Sequence, residues 1–473
     1  MKMTSTSSLP VAVIGAGPVG LAAAAELTGR DIPVIVLEAG AEVGENIRQW
    51  AHVRMFSPWR YNIARSARSL LEGTNWTPPD AEAIPTGGEI LRDFLLPLSR
   101  LPAIRHALHL ETRVTAISRL GLDKLSTADR AERPFLLRVM RDGREEDILA
   151  RAVIDCSGTY TRPNHGGAHG LPARGEMRYQ SAIAYGMPDV SGAERQRYIG
   201  KRVAVLGAGH SAIGVMLDLL SLKQDDPETR IIWLSRRADL RLAYGGGDAD
   251  GLPERGALGS RLKEAVEASG IAAIHPFALD EIERDADGLR LTGTDGTMIM
   301  ADELIVATGF RPDLAMLGEL RLDLDPALES PRLLAPLIDP NVHSCGSVRP
   351  HGARELAQPE PGFYLAGMKS YGRAPTFLLA TGYEQVRSIV AEIAGDHVAA
   401  ARIELELPET GVCFTDLQTA PKASSCCDGP AKVAAEACCV ADETAKAEGK
   451  AGCGCGTQKA IIPESMPART GCC

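Results

Sequence analysis

The stretch VAVIGAGPVGLAAAAELTGRDIPVIVLEAG, Val11–Gly40, decides the fold. A short apolar run gives way to a glycine-rich turn, then to an Ala/Leu-rich segment of helical character, then to a second apolar run that closes on Glu38. That order is a βαβ unit. Its glycines have separate tasks: Gly15 makes the tight turn, Gly17 lets a pyrophosphate approach the backbone, and Gly20 lets the helix pack against its strand. The helix N-terminus then faces the phosphate charge, and Glu38 stands where a carboxylate accepts ribose hydroxyls. A lone GxGxxG carries little weight. Here the strand, glycines, helix, second strand and acid occur together.

A second unit follows at KRVAVLGAGHSAIGVMLDLL, residues 201–220, with Gly207, Gly209 and Ala212 in the glycine positions and Ser211 in the first turn of the expected helix. The next strand, IIWLSRR, ends in Ser235, Arg236 and Arg237 instead of an acid. Arginines there form charge-assisted hydrogen bonds with a ribose 2′-phosphate, so NADPH is expected in preference to NADH. Two dinucleotide sites in one chain imply electron transfer from an exchangeable cofactor to a held one, and FAD is the chemical complement at the first site. RAVIDCSGTY (151–160) and DELIVATGFRPD (302–313) read as strands that return to a sheet edge and end in Gly158 and Gly309. GFYLAGMKSYGRAPT, from residue 362, reads as a strand and a glycine loop carrying Gly367 and Thr376, with a long helix opening at or near Pro375.

The expected fold class is α/β, with two nested Rossmann-like dinucleotide-binding domains for FAD and NADPH. The layout is a first FAD part over 1–185, an NADPH domain over 186–310, a closing FAD part over 311–405, and a Cys-rich tail over 406–473 expected to be largely disordered. With 473 residues, the chain is long enough for several cores. Its 51 Lys and Arg against 61 Asp and Glu leave a net charge of −10, which opposes a nucleic-acid partner. No apolar run reaches membrane-spanning length and no secretory leader opens the chain, so a cytoplasmic location is expected, with no membrane partner. A homodimer is left open.

At this point the chain resembles the two-dinucleotide-fold flavoproteins, and among them the class B flavin monooxygenases. The resemblance rests on GAGPVG at 15–20, Glu38, QWAHVRMFSP at 49–58, GAGHSA at 207–212 and ATG at 307–309. It implies that Gly15, Gly17, Gly20 and Glu38 hold FAD and that Trp50 and His52 lie along the flavin. Gly207, Gly209, Ser211 and Arg236 would then match the NADPH loop. It further implies that NADPH reduces FAD, that molecular oxygen adds at flavin C4a, and that the peroxyflavin attacks a small-molecule substrate, either a soft nucleophile or a carbonyl. His52 is a candidate proton handler, and Arg54 or Arg60 a candidate for orienting an anionic substrate or the nicotinamide phosphates. His210 is expected at the cofactor edge and Lys369 at the solvent surface, where many relatives carry an Asp on the ribityl chain.

The departures from the family are specific. RYQSAIAYGMPDV (178–190) has no histidine where the monooxygenase fingerprint carries one. The asparagine that supports the peroxyflavin in the flavin-containing branch aligns with Phe56 or Ser57, and Asn62 lies further along. The dithiol reductases are excluded in their usual form, because 39–60 contains no cysteine and no CxxC occurs between 200 and 309. Instead cysteines crowd the tail: Cys426, Cys427, Cys438, Cys439, Cys453, Cys455, Cys472 and Cys473 are candidate ligands for a soft metal or trivalent arsenic. Such a tail is similar to those of flavoproteins associated with bacterial arsenic resistance. The competing readings are a flavin reductase or oxidase without oxygen insertion, and a thiol-based metalloid binder on a flavoprotein scaffold.

Overall fold

The computed structural model describes residues 8–405, apart from 246, 248, 249, 251, 342–347 and 375–376. Along the chain, β1 (Val11–Ile14), the helix Pro18–Thr28 and β2 (Val34–Leu37) form the first βαβ unit, and β3 (Leu108–His109) adds to its edge. An antiparallel meander follows, made of β4 (Arg113–Arg119), β5 (Phe135–Arg141) and β6 (Arg144–Ala150), and β7 (Ala152–Asp155) re-enters the first sheet. The second sheet takes β8 (Ile183–Tyr185), β9 (Arg202–Leu206), β10 (Arg230–Leu234) and β11 (Ala272–Ile274). A second meander of β12 (Leu279–Asp285), β13 (Gly288–Gly293) and β14 (Met298–Ala301) precedes β15 (Glu303–Val306) in that sheet. Finally β16 (Phe363–Leu365) returns to the first sheet.

The two principal sheets run β16-β7-β1-β2-β3 and β11-β10-β9-β15-β8, and every pairing within them is parallel. Parallel sheets must be covered on both faces, so their strands read as continuous apolar runs. Val11 and Val13 pack on one side with Leu21, Leu27 and Phe94, while Ala12 and Ile14 pack on the other with Phe135, Leu137 and Phe363. The same alternation divides Val203 and Val205 from Ala204 and Leu206. The nesting is visible in the topology, since β7 and β16 complete the first sheet from either side of the second. β8 pairs with β15, so the second sheet draws an edge strand from residues before 186.

Proline at the first position of the helix Pro18–Thr28 costs no hydrogen bond, because its missing N–H has no intrahelical partner there. The buried run Ala22–Ala25 lets that helix lie close to its neighbours, among them the closing helix Leu379–Ile393. This closing helix begins at Leu379 rather than near Pro375. The first meander is tied down by a buried cluster: Glu360 accepts from Arg119 Nε at 2.7 Å and from Arg130 Nη2 at 2.8 Å, and all three side chains are at most 5% exposed. Among the described residues no helix is long and apolar enough to cross a membrane.

Candidate functional site: two glycine loops and the segment between them

At the first loop, Gly15 has φ +92°, a conformation that L side chains rarely adopt, and an added Cβ would lie 3.0 Å from the Cys156 carbonyl oxygen. Gly20 is under a stricter constraint, since its Cβ would sit 1.9 Å from the Gly15 carbonyl oxygen. Gly17 is different. It has an ordinary φ of −79°, and a Cβ there would meet nothing within 4 Å. Gly17 also caps the 11-residue helix Pro18–Thr28 with no side chain bonded to the helix N-terminus. The open direction at Gly17 and the uncapped helix end together make a cradle that fits a pyrophosphate.

Glu38 closes that cradle. Its carboxylate accepts from the Ala16 N–H at 2.7 Å and the Gly40 N–H at 2.8 Å, so the loop orients both oxygens. Each oxygen keeps a lone pair for a ribose hydroxyl. These residues fit the dinucleotide that the sequence anticipates.

The second loop repeats the design. Gly207 has φ +144°, and its Cβ would lie 2.3 Å from the Ala307 carbonyl oxygen, whereas a Cβ on Gly209 would meet nothing within 4 Å. Gly209 caps the 16-residue helix His210–Asp225, again without a side-chain cap, and Ser211 stands half-buried in its first turn. Arg236 and Arg237 are exposed just beyond β10, the strand beside β9. The Arg237 N–H donates to Ser235 Oγ at 3.2 Å, and Arg236 Nη1 reaches the Ala168 carbonyl oxygen at 3.3 Å. Gly309, with φ +92°, follows β15, and its carbonyl oxygen accepts from the Asn164 N–H at 2.9 Å. Asn164 is a contact that no sequence motif announced.

The segment 50–62 packs against the helix that follows the second loop. Trp50 is half-buried against Gly87, where an added Cβ would come within 2.7 Å of the indole. His52 lies near Asp218 of the helix His210–Asp225, whose carboxyl pKa is raised chiefly by burial. The Phe56 ring sits 5.5 Å from that of His210, whose pKa is lowered by burial and then by Arg255. Arg255 itself forms a buried bidentate pair with Asp250. Arg54 is exposed and donates to the Ile84 carbonyl oxygen at 2.8 Å. Asn62 is fully buried and occupied by its own turn: its amide donates to the Ser57 and Pro58 carbonyl oxygens at 2.7 and 3.0 Å, and Ser57 Oγ donates back to Oδ1 at 3.0 Å.

Behind the first loop, the structure corrects one expectation. Lys369 is 1% exposed, not solvent-facing, because its ammonium pairs with Asp155 Oδ2 at 2.6 Å. Gly367 has φ +67°, and its N–H donates to Gln385 Oε1 at 2.8 Å. The Gln385 amide reaches buried His351 Nε2 at 2.8 Å, and His351 Nδ1 lies 3.1 Å from the Arg349 carbonyl oxygen. Cys156 is the one cysteine among the described residues, and burial first, then the Asp155 carboxylate, push its thiol well above the usual range. Thr376 and the nine tail cysteines, among them the eight candidate ligands, lie outside the described residues. Among the described residues, no group of three or more candidate ligands could hold a metal ion.

Residues 9–359 match the pyridine nucleotide-disulphide oxidoreductase family. The chain belongs to this family. It is accordingly an oxidoreductase of the kind that works with FAD and a nicotinamide dinucleotide, built on a monooxygenase-like two-dinucleotide fold. The family member is 26% identical over 243 residues to the flavin-containing monooxygenase FMO GS-OX-like 2 of Arabidopsis thaliana, covering 46% of this chain and 49% of that protein. It thus spans about half the length of that curated relative. Its fold is similar to that of the bacillithiol disulfide reductase of Bacillus cereus, with TM-score 0.59 and 19% identity over 82% of this chain and 99% of that one. It is also similar to the FAD-bound cadaverine monooxygenase of Erwinia amylovora, with TM-score 0.58 and 14% identity over 84% and 97% of the two chains.

Proposed function

We propose that this family member takes a hydride from NADPH at the second loop, passes the electrons to FAD held at the first, and delivers one oxygen atom from molecular oxygen to a small soft nucleophile or carbonyl compound. The balance is NADPH, a proton, oxygen and substrate giving NADP⁺, water and the oxygenated substrate. When bound, FAD supplies the two-electron acceptor that reacts with oxygen. The chain's own residues do the rest. Gly15, Gly17, Gly20 and Glu38 hold the first dinucleotide. Gly207, Gly209, Ser211, Gly309, Arg236 and Arg237 hold the second, with the arginines selecting its 2′-phosphate. Trp50 and His52 lie along the flavin in this reading, with His52 handling a proton and Arg54 orienting an anionic group.

The state of Cys156 carries this reading over thiol chemistry. A dithiol relay needs a low-pKa, paired thiol, and Cys156 is half-buried, has a raised pKa and is the one cysteine among the described residues. Among the described residues this favours electron flow from flavin directly to a small acceptor. The tail cysteines extend the reading to trivalent arsenicals, which thiolates capture and whose lone pair accepts an oxygen atom.

The test is NADPH consumption by the FAD-loaded full chain under labelled oxygen, with sulfides, amines, ketones and trivalent arsenicals as substrates. One labelled oxygen in product per NADPH is expected for the true class. Stoichiometric peroxide with no labelled product across the panel would replace this reading with an oxidase or reductase. Removal of residues 411–473 is expected to raise KM for the arsenical and leave flavin reduction unchanged. An unaltered KM would reject capture by the tail.

A further inference from the structure

Three chain segments meet behind the first glycine loop. The Asp155 carbonyl oxygen accepts from the Ala366 N–H at 3.0 Å, and the Cys156 N–H donates to the Ile14 carbonyl oxygen at 2.9 Å. At Gly15 the loop is so close that an added Cβ would stand 3.0 Å from Ser157 Cα, and one on Gly367 would stand 3.2 Å from Val19 Cγ2. A buried charge pair joins two of these segments. Lys369 Nζ lies 2.6 Å from Asp155 Oδ2 and donates to Ser157 Oγ at 2.9 Å, while Ser157 Oγ and N–H both donate to Asp155 Oδ1, at 2.7 and 3.1 Å. The Lys369 and Asp155 side chains are 1% and 0% exposed.

We propose that the Lys369–Asp155 pair, closed by Ser157, is a positioning clamp that sets the first loop for its dinucleotide without touching it. The inference rests on FAD binding at that loop. Lys369 is 1% exposed and its ammonium is engaged by Asp155 and Ser157, so its positive charge is used within the protein and not offered to a phosphate. Either charge left alone would be buried and unpaired, which is strongly unfavourable. A lone Asp155 would also place a carboxylate next to the loop that receives an anionic pyrophosphate. The pair presents a neutral, rigid floor, and its hydrogen bonds fix the Cys156–Ser157 backbone on which Gly15 rests.

The experiment compares the full chain with Lys369→Met, Asp155→Asn, the double variant and the milder Ser157→Ala. Each protein is stripped of flavin and titrated with FAD, with NADP⁺ titration of the second loop as internal control and melting followed in parallel. Lys369→Met is expected to weaken FAD binding at least tenfold, to lower the melting temperature and to leave NADP⁺ binding within twofold. The double variant is expected to recover FAD affinity to within about threefold of the parent. Ser157→Ala, which keeps both charges, is expected to fold and to weaken FAD binding by a few fold. Loss of FAD affinity that persists in the double variant after its melting temperature recovers would make Lys369 a direct ligand and overturn the clamp. Parent-like FAD affinity in both Lys369→Met and Ser157→Ala would overturn it as well. A parent chain that binds no FAD would instead refute the cofactor reading, and the clamp with it.

Discussion

Gly17 and Gly20 stand three residues apart in one motif, yet the structure predicts opposite consequences for adding a single methyl group. At Gly17 the new Cβ meets nothing within 4 Å. Alanine is a poorer N-cap than glycine by roughly 0.5–1 kcal/mol, but it narrows the unfolded ensemble by about 0.4–1 kcal/mol, so the two effects offset. The melting temperature of Gly17→Ala is expected to stay within about 2 °C of the parent. The methyl nevertheless occupies the direction from which a pyrophosphate oxygen would approach the backbone. Loss of one hydrogen bond to a charged group is worth about 1.5–3 kcal/mol, hence a roughly 10- to 150-fold weaker FAD complex. Gly20→Ala places a carbon 1.9 Å from the Gly15 carbonyl oxygen, so helix and loop must separate by more than 1 Å. Overpacking of this kind costs about 1–3 kcal/mol, and stability and binding should fall together. Flavin fluorescence quenching on titration of the stripped protein gives the affinities, and a thermal melt gives the stabilities. FAD affinity within twofold of the parent in Gly17→Ala would refute the pyrophosphate assignment.

Three further outcomes follow from other parts of the molecule. Arg236→Ala with Arg237→Ala should raise KM for NADPH by about tenfold or more and leave NADH nearly unchanged, since only NADPH carries the 2′-phosphate; an unchanged cofactor preference would leave the arginines as surface residues. Burial lowers the His351 pKa, so the unfolded chain binds a proton that the folded chain refuses, and stability is lost as pH falls below the unfolded value of about 6.5, by up to about 1.4 kcal/mol per pH unit. His109 and His210, whose pKa values are also lowered, act with the same sign, and His351→Gln should flatten part of the acid limb of a melting-temperature profile; an identical slope would argue against a neutral His351. Glu360→Gln strands two buried arginines, at a cost of about 3–5 kcal/mol, and should lower the melting temperature by at least about 6 °C; a melt within 2 °C of the parent would show that the cluster contributes little.

Both βαβ units were legible because each is local. Apolar runs, glycine spacing and the strand-terminal Glu38 or Arg236 all fall within about 30 residues, and the backbone geometry at Gly15, Gly17, Gly207 and Gly209 follows from those short-range rules. What escaped is what tertiary pairing decides. Lys369 reads as a surface residue because lysine is almost never fully buried without a partner, and its partner lies over 200 positions away, at the end of β7. Asp155 did leave one signal, a carboxylate closing the apolar strand AVID, but that pattern also describes a solvated strand end. Gln385 and His351 belong to a helix and a loop with no periodic cue that their amide and imidazole face each other. Asn164 supports the Gly309 turn from a loop without any motif.

The segment 50–62 shows why a family resemblance must be checked atom by atom. By residue type, Asn62 could replace the missing asparagine of the flavin-containing branch if the chain were gapped by a few positions. Its amide, however, makes two hydrogen bonds to backbone carbonyls of its own turn, its oxygen takes the Ser57 hydroxyl, and Tyr383 caps its carbonyl oxygen at 2.8 Å. Freeing that amide would take a partner from the buried Ser57 carbonyl, at about 1–3 kcal/mol, while the Pro58 carbonyl keeps the Tyr61 N–H. From this segment Phe56 meets His210 at the start of the helix after the second loop, and His52 lies near Asp218 further along that helix. If proton handling belongs to His52, then His52→Gln should lower kcat at unchanged melting temperature, while Asn62→Ser should act mainly through stability. A larger kcat loss in Asn62→Ser at unchanged melting temperature would return the role to the asparagine.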